Sequence, residues 1–202
     1  ATFRTADVVG LDTMAFVAKT AYDNCEDDPD REIFKIPSYL DSMLEQKWLG
    51  QKSGQGFYKK IDKGVIHSIN LDTMEYGPMN KNRYDAIALA KEKTYLNDKI
   101  NAIVRSEDVA GEFLWNTISR SLLYSANIGM KISDDIISVD SALKWGFGWE
   151  LGPFEVLDAI GLDYFVNRLK QEGKKCSDWL VEMNQNGHES LYKYVDGNKH
   201  YY

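Results

Sequence analysis

The chain has 202 residues, 44% of them hydrophobic, which is enough to bury a core in one large domain or two small ones. Its 24 Lys and Arg against 31 Asp and Glu give a net charge of −7. No basic cluster is present, which argues against tracking a nucleic-acid phosphate backbone. No apolar run reaches the ~20 residues needed to cross a bilayer, so a transmembrane helix is excluded.

Cys25 and Cys176 lie far apart, with no second Cys or His at metal-ligand spacing, so a reduced, cytoplasmic protein is expected. The chain shows no basic, apolar leader and opens on Ala-Thr-Phe with no initiator Met, the expectation for a piece of a longer polypeptide.

Taken in chain order, the first element is Phe3-x-x-x-Asp7-x-x-Gly10-Leu11-Asp12, a short helix stopped by glycine. Asp12 is expected to cap the following helix, whose buried face should carry Met14, Val17, Ala18 and Ala21. Leu40, Met43, Leu44 and Trp48 then recur at helical spacing. Gly56 to Ile61 and Val65 to Ile69 flank a turn at Asp62-Lys63-Gly64, the pattern of a hairpin. Tyr76-Gly-Pro-Met-Asn-Lys-Asn82 has the Gly, Pro and Asn content of a linker.

Beyond it come a charged helix near Tyr84 to Glu92 and longer helices to about Gly129, with Leu114, Ile118 and Leu122 forming an apolar stripe. Ile132-Ser-Asp-Asp135 offers an N-cap, and the helix through Ser138 and Asp140 should stop at Gly146.

Downstream, the opening pattern returns at identical spacing as Phe154-x-x-x-Asp158-x-x-Gly161-Leu162-Asp163. Asp163 is again a cap candidate, and Phe165, Val166 and Leu169 mark the next buried face. Leu180-x-x-Met183 repeats Leu40-x-x-Met43. Leu191 to Val195, a turn at Asp196-Gly197-Asn198 and a strand through Lys199 to Tyr202 repeat the hairpin. Three blocks in the same order read as a duplicated module. The expected division is 1–75 for the first copy, 76–84 for the linker and 85–202 for the second.

These blocks resemble a known family. Trp145-Gly-Phe-Gly-Trp-Glu-Leu-Gly152-Pro153-Phe154-Glu155 through Asp163 resembles the signature of the C-terminal domain of 3-hydroxyacyl-CoA dehydrogenases, and Lys52-x-Gly54-x-Gly56-Phe57-Tyr58 resembles the segment that ends that domain. The resemblance implies a mainly α fold: two tandem helical modules of the 6-phosphogluconate dehydrogenase C-terminal-like type, each with a small β-hairpin. It also implies a parent enzyme that oxidises (3S)-3-hydroxyacyl-CoA with NAD in fatty-acid β-oxidation, as in multifunctional enzymes fused to an enoyl-CoA hydratase.

In that family the base, a His oriented by a Glu, and the NAD site belong to an N-terminal dinucleotide-binding domain, so this chain is expected to carry no catalytic, cofactor-binding or metal residue and to be inactive alone. Its partners would be that domain, the acyl-CoA substrate and a second copy. The family's substrate-orienting Asn falls at Glu112 in the second copy, with Asn116 close by, and Gly187-His188-Glu189-Ser190 lacks the two-glycine pattern, so the second copy reads as degenerate and structural.

Alternatives are a 3-hydroxybutyryl-CoA dehydrogenase of another route, or a non-catalytic helical dimerisation module. Gly54-x-Gly56 and Gly146-x-Gly148 lack the strand and helix of a phosphate cradle and read as turns. His67, His188 and His200 lack positioned partners for base catalysis. Asp7 with Asp12, and Asp158 with Asp163, read as caps or inter-helix bonds, and Trp48, Trp115, Trp145, Trp149 and Trp179 as core. Lys52, Lys59 and Lys60 could reach a CoA phosphate but stay unassigned.

Overall fold

The computed structural model describes residues 2–80, 82–196 and 198–201 and separates the chain into two units, Ala1–Asn82 and Arg83–Tyr202. Both are mainly α-helical, and each carries a small antiparallel sheet.

In the first unit, α1 (Thr2–Val9) ends at Gly10, whose φ of 101° and ψ of 127° turn the chain straight into α2 (Leu11–Asn24). Asp12 is not the cap that its position suggested. The N-cap residue is Gly10, and Asp12 sits inside the first turn, where it pairs with Lys52. The expected buried stripe of α2 holds in part, since Ala18 and Ala21 are half-buried. Leu11 is fully buried and fixes the register, so Ala15 and, in part, Ala18 and Tyr22 follow it inward, while Met14 and Val17 face out. A 3-10 turn (Arg31–Phe34) leads to α3 (Ser38–Glu45), which buries Leu40 and Met43 against Ala6, Leu11 and Phe57. Trp48 lies beyond the helix end, still packed on this core and 5.4 Å from the Tyr76 ring.

The expected hairpin forms from β1 (Tyr58–Asp62) and β2 (Val65–Ile69), with a register shift between Lys60 and Asp62. Tyr76-Gly-Pro, expected to begin the linker, instead makes a third strand, β3 (Tyr76–Pro78), paired with β2 from Ile69↔Tyr76 to His67↔Pro78. Asn70 explains the difference. Its side chain accepts from the N–H groups of Asp72 and Thr73, and its own N–H reaches Glu75 O at 2.8 Å, closing a turn that composition alone made look like loop. Lys81 of the expected linker lies outside the described residues.

The second unit runs α4 (Asp85–Lys91), α5 (Leu96–Val104), α6 (Val109–Ile132), α7 (Ile136–Phe147), α8 (Pro153–Ile160), α9 (Leu162–Gln171) and α10 (Asp178–Gln185). Asp108 caps two helices at once. One carboxylate oxygen accepts from Gly111 N of α6 and the other from Ala86 N of α4, and these backbone bonds hold its carboxyl below the usual range. Gly111 is needed there because a Cβ would stand 2.1 Å from Ser106 O.

Asp135 caps α7 through Ser138 N, as Ile132–Asp135 suggested. The stop of α7 is Gly148, in the left-handed region, rather than Gly146, which lies within the helix. Trp115, Phe154, Leu157, Phe165, Leu169 and Leu180 form the core, and Leu122, Leu114 and Ile118 join it along the expected stripe. Asp163 is not a cap either, since Gly161 precedes α9 and Asp163 accepts from Asn167. A two-stranded sheet, β4 (Tyr192–Val195) with β5 (Asn198–Tyr201), completes the unit. Gly197 of the expected turn and the final Tyr202 lie outside the described residues.

Candidate functional site

The repeated aspartates do the same work in both units. Asp7, on α1 and 3% exposed, accepts from Phe57 N at 2.8 Å and Tyr58 N at 2.9 Å. Asp158, on α8, accepts from Leu191 N at 2.6 Å and Tyr192 N at 3.1 Å. Each carboxylate thus takes two consecutive N–H groups where the chain turns into its sheet. Charge-assisted bonds of this kind are about twice as strong as neutral ones. The reading of these residues as caps or inter-helix bonds is corrected: they latch a helix to a sheet.

Glycine makes room for the first latch. A Cβ on Gly56 would meet Asp7 Oδ1 at 2.2 Å, and one on Gly50 would meet Asp7 O at 2.3 Å. Tyr76 closes the site by donating to Gly56 O at 2.6 Å, and burial, with the charge of Asp7, pushes its hydroxyl up to about 12. The Gly54-x-Gly56 loop is a turn shaped around a buried carboxylate.

The second latch is larger. Asp140 of α7, also 3% exposed, accepts from Phe154 N and Glu155 N, which puts its charge at the N-terminus of α8. Tyr192 donates its hydroxyl to Asp140 at 2.8 Å, tying α7 to the sheet that Asp158 holds from α8. Burial pushes Asp158 up to about 6 and raises Asp140. It also raises Tyr192, as does the bond to Asp140. Burial works in the same direction on Glu155, but bonds from Lys199, Gly152 N and Lys144 outweigh it and hold that carboxyl low. Gly152 can carry no Cβ, since one would stand 2.4 Å from Asp140 Cβ. Neither Asp140 nor Tyr192 stood out in the sequence as a functional residue. The bond joins positions 52 residues apart and leaves no local pattern.

The other candidates disperse. His67 lies in β2 opposite Lys59, and exposed His200 lies in β5 opposite Lys193. His188 lines a cleft of about 1050 Å³ in the second unit together with Glu112, Asp163, Arg105 and Arg168. Asn116 is exposed and outside that lining. Both guanidinium groups of the cleft are engaged in the fold. Arg168 lies 4.4 Å from the Trp115 ring and donates to Val104 O, while Arg105 lies 4.0 Å from the Tyr164 ring and donates to Ile160 O.

Lys52 binds Asp12, whose carboxyl is lowered by that bond, and Lys59 stands over the Tyr76 ring, while Lys60 is exposed. Trp48, Trp115 and Trp179 pack as expected, but Trp145 is 85% and Trp149 53% exposed. Among the described residues, no group of three or more His, Cys, Asp or Glu is placed to hold a metal ion, and no helix is long and apolar enough to cross a membrane.

Known proteins match the sequence, one of them along the whole chain and others along parts of it. The family model for the 3-hydroxyacyl-CoA dehydrogenase C-terminal domain matches residues 1–60 and 117–198. A Bacillus subtilis protein named "Probable 3-hydroxyacyl-CoA dehydrogenase" is 47% identical over all 202 residues, which cover 25% of its own length. A Rickettsia felis protein, provisionally named a fatty acid oxidation complex trifunctional enzyme, is 26% identical over 81% of this chain and 22% of its own. The rat mitochondrial hydroxyacyl-coenzyme A dehydrogenase is 39% identical over 28% of this chain and 17% of its own. The chain spans about a quarter of the length of the first two relatives.

Proposed function

The chain belongs to the 3-hydroxyacyl-CoA dehydrogenase family through its C-terminal domain, and from that premise we propose that it is the helical, non-catalytic region of an NAD-dependent (3S)-3-hydroxyacyl-CoA dehydrogenase of fatty-acid β-oxidation. The observation that carries this reading is where the motif carboxylates are spent. Asp7, Asp158 and Asp140 each accept two or more hydrogen bonds from their own unit, so none is left as a general base facing an open cleft.

On this reading the two units are copies of one module. NAD and the acid–base pair reside in a dinucleotide-binding domain of a longer cytoplasmic polypeptide, and the helical region supplies one wall of the acyl-CoA cleft and a module interface. The matching latches and the two matched stretches of the family model support the duplication. The names of the relatives support the reaction and its fatty-acid setting, and the trifunctional one supports fused further activities, for which an enoyl-CoA hydratase is the proposed partner. The unbonded thiols of Cys25 and Cys176 fit a reducing compartment.

The test is NADH formation from (3S)-3-hydroxybutyryl-CoA and NAD⁺. The 202-residue chain is expected to give none above the blank and to leave its tryptophan fluorescence unchanged on titration with NAD⁺. The longer polypeptide is expected to turn over. Turnover by the chain alone, or a longer polypeptide inert on every 3-hydroxyacyl-CoA tried, would sink the reading.

A further inference from the structure

Within the second unit, α4, α5 and α6 leave an open groove of about 490 Å³. Its walls are Ile87 from α4, Leu96, Ile100 and Ile103 from α5, and Leu114 and Ile118 from α6. Two charged side chains line it, exposed Lys91 at the end of α4 and half-buried Lys99 on α5. Among the described residues neither lysine side chain has an ion-pair partner, unlike Lys19, Lys35, Lys52, Lys144, Lys174 and Lys199. No acidic side chain lines the groove.

We propose that this groove binds a linear, anionic amphiphile: a medium-chain fatty carboxylate whose hydrocarbon lies along the Ile and Leu walls and whose head sits between Lys91 and Lys99. Charge complementarity and shape carry the assignment. An apolar channel bordered by two unpaired ammonium groups, on a protein of net charge −7, selects a ligand with one apolar and one negative end. A methylene needs roughly the room of a water molecule, ~30 Å³, so a chain of about twelve carbons fits the space. Burying the hydrocarbon supplies the affinity, and the lysines supply the preference for a negative head. The site shares no residue with either aspartate latch and stands independently of the dehydrogenase reading, so either can fail without the other.

The experiment titrates the protein with dodecanoate, held below its micelle concentration, and follows the isoleucine methyl resonances. Ile87, Ile100, Ile103 and Ile118 are expected to shift together and saturably, while Ile33 and Ile66 in the first unit stay put. Dodecanol, with the same chain and no charge, should bind roughly tenfold more weakly, and so should dodecanoate on the Lys91→Glu, Lys99→Glu double variant. Lys91 is exposed and Lys99 half-buried, so the variant's fold is checked first without ligand, where its methyl spectrum is expected to match the wild type apart from Ile100 beside the substitution. Equal binding of the alcohol and the acid, shifts spread over both units, or no saturable shift would overturn the proposal. Groove shifts produced by an acidic amphipathic peptide but not by dodecanoate would overturn it in favour of a protein partner.

Discussion

Gly56→Ala is expected to destabilise the first unit by about 3 kcal/mol or more, whereas Gly54→Ala, two residues earlier, should cost only about 1 kcal/mol. Gly54 has a φ of 83°, so alanine there pays a conformational penalty, but nothing lies within 4 Å of its added Cβ. At Gly56 the new methyl would stand 2.2 Å from Asp7 Oδ1 and 2.6 Å from Gly50 Cα. The carboxylate must then leave Phe57 N and Tyr58 N, stranding a charge that is 3% exposed and a donor beside it. Hydrogen bonds to charged groups contribute about 1.5–3 kcal/mol each, and a buried charge left unpaired costs several. Urea midpoints of the two variants, with amide exchange at Phe57 and Tyr58, measure the difference. Equal losses would mean that backbone conformation, not the Asp7 contact, dictates both glycines.

The second large effect is on pH dependence, and its sign is the reverse of the usual carboxylate. Burial raises Asp158 from 3.8 unfolded to about 6 folded. The folded protein therefore binds more protons between those values, and stability falls as pH rises through that window. The contribution is fully present below pH 4, shrinks toward pH 6 and is gone at pH 7. The shift corresponds to at most about 3 kcal/mol in all, of which about 1 kcal/mol returns between pH 7 and pH 5. Asp140, raised by burial, adds in the same direction, while Glu155, held low by its lysines, acts only at lower pH.

Asp158→Asn keeps one acceptor and removes the titration. The wild type should gain about 1 kcal/mol on this variant between pH 7 and pH 5, read from urea midpoints and from exchange at Leu191 and Tyr192. A wild type that loses ground on acidification would show that Asp158 is held as a charge in the folded state. Asp158→Ala strands both amides at either pH and should cost about 2–3 kcal/mol.

Much of the architecture was legible because it is written locally. The Phe-x-x-x-Asp-x-x-Gly-Leu pattern marked both helix pairs, and Asp62-Lys-Gly64 marked the first hairpin. Failures came where a contact, rather than the residue's type, decides its role. Asp12 has the right type and place for a cap, but Gly10 lets the backbone start the helix two residues earlier and Lys52, 40 residues on, takes the side chain. Tyr76-Gly-Pro has linker composition and becomes an edge strand because Asn70 returns the chain to β2. That Asp7 and Asp158 matter was visible from their repetition. What they hold was not, because the amides they bind lie 50 and 33 residues away. Trp145 and Trp149 show the converse, large apolar residues that hydrophobicity alone assigns to the core and that stand exposed.

Each aspartate latch also closes a ring in the chain. Asp7 and Phe57 enclose α2 and α3, and Asp158 and Leu191 enclose α9 and α10. The entropy of bringing ring ends together grows only with the logarithm of length, and each doubling costs about 0.6 kcal/mol. The first unit should therefore accept several extra residues in the acidic stretch from Glu26 to Asp30 without losing its clasp. The enclosed segment is free to vary in length, while the two ends that meet are held to atomic tolerance.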